Sequence, residues 1–126
     1  MIGYVTLGTN DMKRAGAFYD QLLAEFGAKR RMETERMIFW SAGRGAPSLA
    51  VITPYDKQAA SVGNGVMVSL VTDSTAKVDA IYRKALELGA KDEGPAGARS
   101  ETFYGGYFRD LDGNKLCVFC MTPKQQ

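Results

Sequence analysis

Near its C-terminus the chain reads FRDLDGNKLCVF, residues 108–119, with Asp110, Asp112, Asn114 and Cys117 at short spacing. Oxygen ligands so spaced could hold a cation. An EF-hand loop opening at Asp110 would need glycine at its sixth position and glutamate at its twelfth. Here glycine comes fourth, as Gly113, and the twelfth residue is Met121. The calcium reading fails. Alternating apolar flanks instead make Asp112-Gly113 or Gly113-Asn114 a hairpin turn. Cys117 and Cys120 form a C-x-x-C, the spacing of redox pairs and half zinc sites. On a strand such residues lie about 10 Å apart on opposite faces, too far for a disulfide. No second pair completes a zinc site. Cys120 reads as a small core residue, and Cys117 as at most a cavity thiol, with no basic partner in view to lower its pKa.

The chain has no histidine. That removes the commonest general acid/base, the Ser-His and Cys-His nucleophile pairs, and the favoured ligand of zinc and non-haem iron. A net charge of +2, dispersed over 126 residues, is too weak for a nucleic-acid or membrane footprint. No apolar run approaches a membrane span, the start MIGYVTLGTND carries no basic leader, and cysteines are few. These features read as a cytoplasmic protein. The length suits one domain with a core of its own.

The elements that must position any site repeat. GYVTLGTNDMKRAGAFYDQLLAEFGAK begins at Gly3, and GVMVSLVTDSTAKVDAIYRKALELGAK begins at Gly65. With a single-residue adjustment from those glycines, Leu7 meets Leu70, Thr9 meets Thr72 and Tyr19 meets Tyr82. Each copy opens with a strand (2–8 and 66–71) and continues as an amphipathic helix. Ala15, Phe18, Tyr19, Leu22, Leu23 and Phe26 form the first apolar stripe. Val78, Ile81, Ala85 and Leu88 form the second. Thr9 or Asn10 is the expected cap of the first helix and Asp73 or Ser74 that of the second; Gly27 and Gly89 are the stops. Strands are expected at 30–33, 37–41 and 48–53, then at 103–109 and 115–121. The segments 42–47 and 94–98 read as turns, and Lys57, Lys91 and Arg99 as solvated loops. The expected architecture is α+β: two tandem βαβββ modules forming a concave mixed sheet with helices on its outer face. Module one is 1–55, the linker 56–64 and module two 65–126, together one domain.

Alternation assigns faces. Val5 and Leu7 turn toward the helix, so Tyr4 and Thr6 turn away; Val68 and Leu70 likewise oppose Met67 and Ser69. On the last strand of each module Leu49, Val51, Leu116 and Val118 face the helix, which leaves Ala50 and Cys117 on the far side. Tyr4, Ala50, Met67 and Cys117 are thus expected on one concave surface.

The opening GYVTLGTNDMKRAGAFYDQLL resembles that of the vicinal-oxygen-chelate proteins, the glyoxalase, bleomycin-resistance and dioxygenase superfamily. The ending YFRDLDGNKLCVF resembles their turn before the last strand, with Leu111 where they carry proline. The resemblance spans nearly the whole chain. It implies metal ligands, in members that use a metal, at the places held here by Tyr4, Ala50, Met67 and Cys117. Those residues are not a hard-metal set. The first expectation is therefore a metal-free member without a cofactor, binding a small aromatic or amphiphilic molecule. Its lining would be Tyr4, Met67, Cys117, Trp40, Tyr104 and Tyr107, with Phe39, Tyr55 and Phe103 as further walls. A second reading is a lyase or dioxygenase-type enzyme, with atypical metal ligands or with Tyr4, Cys117, Glu33 or Glu101 as acid or base; glyoxalase I activity is not expected. A third is a non-catalytic accessory subunit. The residues leave open whether the chain is an enzyme. By the same resemblance it is expected to form a homodimer.

Overall fold

The first strand, β1 (Tyr4–Gly8), carries Val5 and Leu7 on one side and exposes Tyr4 and Thr6 on the other. It leads into α1 (Met12–Ala24), whose stripe Ala15, Phe18, Tyr19, Leu22 and Leu23 is buried. Burying one such leucine or phenylalanine contributes about 1.5–3 kcal/mol, so this stripe is the main reason the helix lies on the sheet. Then follow β2 (Lys29–Glu33), β3 (Met37–Ser41) and β4 (Ser48–Ile52). The second copy runs β5 (Val68–Val71), α2 (Thr75–Glu87), β6 (Lys91–Ala98), β7 (Phe103–Arg109) and β8 (Lys115–Met121). The computed structural model describes residues 1–123. The chain divides into two compact units, one from Met1 to Val62 and the other from Gly63 onward.

Hydrogen bonding gives each unit its own four-stranded mixed sheet, in the orders β1-β4-β3-β2 and β5-β8-β7-β6. The expected α+β architecture of two tandem modules is present, each module with its own mixed sheet. In both, the first strand pairs parallel with the last and the remaining pairs are antiparallel. This is βαβββ twice.

The capping residues move by one position from the expectation in the first copy. Asp11, not Thr9 or Asn10, caps α1, its carboxylate accepting the Arg14 amide at 3.0 Å. The Thr9 hydroxyl accepts the Asp11 amide at 3.0 Å and so orients the cap. Asn10 instead clamps the segment after β4, donating to the Ala60 carbonyl at 3.1 Å and accepting its amide at 2.7 Å. In the second copy Ser74 caps α2 through the Lys77 amide at 3.1 Å. Both helices stop at glycines with left-handed backbone, Gly27 at φ 72° and Gly89 at φ 103°, which residues with a Cβ adopt at a cost.

One strand was not expected. β6 has the sequence KDEGPAGA, which reads as a turn from Gly94 to Ala98, yet it pairs with β7 from Lys91 to Ala98. It is an edge strand whose register shifts at Gly94 and again before Gly97. An edge position tolerates proline and bulges because one side of the strand needs no partner.

Candidate functional site

In the first unit, Ile38↔Val51 and Trp40↔Leu49 are paired across β3 and β4, so these four share the helix side. The opposite face carries Tyr4, Thr6, Phe39 and Ala50, with Ala50 paired to Thr6 on one flank and Phe39 on the other. The Tyr4 and Phe39 rings approach to 5.0 Å at a tilt of 59°. Tyr4 remains 59% exposed while Ala50 is fully buried. The face is aromatic and open at Tyr4; Ala50 at its centre offers no heteroatom, and the Thr6 hydroxyl flanks it.

In the second unit a polar row crosses three strands. Ser69 pairs with Cys117, which pairs with Tyr107, and the Cys117 thiol hydrogen-bonds to both hydroxyl side chains. Burial pushes this thiol up despite those bonds and despite the charges of Arg99 and Lys115, so it stays protonated and neutral near pH 7. Burial also raises the Tyr107 phenol, and Arg99 pulls it the other way. The Arg99 guanidinium lies over the Tyr107 ring at 5.4 Å and the Lys115 ammonium at 5.6 Å. Beside this row Phe103 and Phe119 stack nearly parallel, 5.1 Å apart at 7°. Gly105 makes the stack possible: a Cβ there would stand 2.9 Å from Phe103.

Of the six expected lining residues, the structure puts three on these far faces: Tyr4 in one unit, Tyr107 and Cys117 in the other. Met67 lies just before β5 and is 42% exposed. Cys117 is fully buried beneath its neighbours rather than presented as an open thiol. Trp40 and Tyr104 are on the other side of their sheets. Trp40 is 1% exposed, packs on Tyr19, and donates its indole N–H to Asp20 on α1 at 2.9 Å. Tyr104 donates to Asp79 on α2 at 2.7 Å, and that bond raises its pKa first, burial second. Both tie a helix to a sheet, Trp40 from the core and Tyr104 from a half-buried position. An indole or phenol set in a core needs a partner for its polar atom, and each helix supplies an aspartate.

Two features escaped sequence reasoning. Arg99 is no solvated loop: its guanidinium donates to the Pro95 carbonyl and packs on Tyr107. The segment after β4 folds back to enclose a surface hollow of about 840 Å³ lined by Asn10, Arg36, Tyr55 and Lys57 among others. Arg36 stacks over Tyr55 there at 5.6 Å. Only the composition of 53–60, rich in polar and turn residues, hinted at an ordered loop.

Among the described residues, no three His, Cys, Asp or Glu side chains gather closely enough to hold a metal ion. No described helix is long and apolar enough to cross a membrane.

A tandem βαβββ chain with mixed sheets, each carrying its helix on one face, defines a known class. The model of the Glyoxalase/Bleomycin resistance protein/Dioxygenase superfamily matches residues 1–118, and the chain belongs to that superfamily. A crystal structure of a glyoxalase/bleomycin resistance protein from Albidiferax ferrireducens is similar at 28% identity, with a TM-score of 0.87 over 98% of this chain and 99% of that one. A family enzyme from Burkholderia phytofirmans shares the fold at 17% identity, TM-score 0.77, over 95% and 98% of the two chains. Lactoylglutathione lyase from Agrobacterium tumefaciens shares it at 22% identity, TM-score 0.71, over 95% and 92%. A comparison with curated proteins gives no match.

Proposed function

We propose that this chain is a binding member of the superfamily that works without the family's metal, holding a small aromatic or amphiphilic molecule against the far faces of its sheets. The observation that carries this reading is the donor set at the four family positions. Ala50 has no donor atom. Met67 offers only a thioether, and Cys117 a buried thiol whose pKa burial raises. Such a set does not fit Zn²⁺, Ni²⁺, Mn²⁺ or Fe²⁺, which take imidazole, carboxylate or thiolate. What the faces do offer is ring surface: Tyr4 against Phe39, and Phe103 on Phe119. Flat apolar walls with a few hydroxyls suit an aromatic or amphiphilic ligand.

The test is metal content of tag-free protein after exposure to the four cations and desalting, since a tag would supply the histidines the chain lacks. The expected result is metal far below one equivalent, together with a rise in melting temperature on adding aromatic ligands. Stoichiometric metal would overturn the reading. A homodimer belongs to the same proposal: Val66, Val71 and Met121 are each more than 60% exposed, and sedimentation at micromolar concentration should return twice the chain mass.

A further inference from the structure

On the far face of the second unit, Lys91 pairs with Arg109 and Arg109 with Lys115, so three cations lie in one row across β6, β7 and β8. Arg99 adds a fourth beside Tyr107. Glu93 faces this group and is committed to Arg109 in an ion pair. Among the described residues, Arg99 and Lys115 form no ion pair. Glu93 also feels the charge of Lys115, but two cations that close no ion pair around a single phenol are more than a solvated edge, because Arg99 is already held in place by the Pro95 carbonyl. A guanidinium fixed at one nitrogen keeps further N–H donors to offer, and an ammonium carries three. Beneath them the Ser69–Cys117–Tyr107 row is neutral and cannot supply the missing negative charge.

We infer that the far face of the second unit recognises an anionic head group on an aromatic ligand, with Arg99 and Lys115 holding the anion beside Tyr107 and the Phe103–Phe119 stack carrying the ring. This rests on the binding reading above and adds the chemical class of the ligand. The spacing is consistent. Cys117 and Phe119 are two residues apart on one face of β8, which places the ring platform about 7 Å from the polar row. That is the length of a fused bicyclic acid. The head is a carboxylate, phosphonate or similar oxyanion, which both cations bind through charge-assisted hydrogen bonds.

The matched probes are 2-naphthoate and 2-naphthamide, equal in shape and different in charge, titrated by calorimetry into the tag-free protein at low salt. The expected result is at least about tenfold tighter binding of the naphthoate. That preference should fall to near one in Arg99→Met, in Lys115→Gln and in the double variant, while the naphthamide affinity is retained. Retained amide binding reports intact folding, and melting temperatures give a second check. Equal affinity for the two probes in the unaltered protein would overturn the inference while leaving a neutral-ligand reading standing. A preference that survives the double variant would overturn the assignment to these cations. Binding of neither probe would overturn the inference together with the reading it rests on.

Discussion

At the scale of single residues, Asp20 joins a helix to two strands in the first unit. It accepts from the Trp40 indole at 2.9 Å and from Arg30 at 2.8 and 2.9 Å. The Arg30 hydrogen bonds hold its carboxyl below the usual 3.8, burial opposing them and Trp40 assisting. A carboxylate whose folded pKa is depressed lends stability that is complete above the unfolded pKa and is lost as pH falls through the folded one. Stability should therefore decline as pH drops below about 4, and Asp20→Asn should lose that part of the decline in urea titrations. Because the pair is partly exposed, the charge itself contributes about 1 kcal/mol or less. Asp20→Ala also strands a buried indole N–H and should cost about 1–3 kcal/mol more than the asparagine variant. Trp40 shows what alternation alone withholds. It separates a strand into two sides without saying which is wet, and only the pairing of Trp40 with Leu49 settles it. The side on which Tyr4 lies was legible because the opposite parity of its strand was already claimed by the helix.

At the scale of elements, β7 and its neighbours are specified by absent side chains. Gly106 faces α2, and a Cβ there would meet Tyr82 at 2.9 Å and the Ala96 backbone at 3.3 Å. Gly106→Ala should destabilise the protein by about 1–3 kcal/mol through overpacking, read as a shifted urea midpoint with unchanged slope. Gly3→Ala, with nothing within 4 Å of the new carbon, should stay within about 0.5 kcal/mol. The helices were legible from their stripes and their stop glycines, since both signals are local. Strand β6 was not, because Gly94, Pro95 and Gly97 carry turn propensity and only the edge position it occupies admits them. The cap at Asp11 lies one residue from Asn10 because Asn10 is spent on the distant Ala60, a contact no local window reveals.

At the scale of the molecule, the duplication was readable in a handful of coincidences, and the structure repeats them strand for strand in two sheets. The row of cations in the second unit was not readable. A net +2 spread over the chain looks featureless until strand register collects Lys91, Arg109 and Lys115 into one row. The loop between β7 and β8 carries a consequence of another kind. Asp110 is central to its closure: its amide donates to the Asn114 carbonyl at 2.8 Å, and its carboxylate accepts the Asp112 and Asn114 amides and the Asn114 side chain, each at 2.9 Å. Each of these partners is within four residues, in a loop wider than the two-residue turn expected. The parallel pairing of β5 with β8, by contrast, must wait for α2, β6 and β7 to be traversed. Contacts of short sequence separation form first because little chain entropy opposes them. The β7–β8 hairpin is thus placed to set the speed at which the whole chain folds. Asp110→Ala should slow refolding by about three- to tenfold and change the unfolding rate far less, a split that stopped-flow kinetics reads directly. A loss appearing only in unfolding would mean that the loop closes after the sheet has formed.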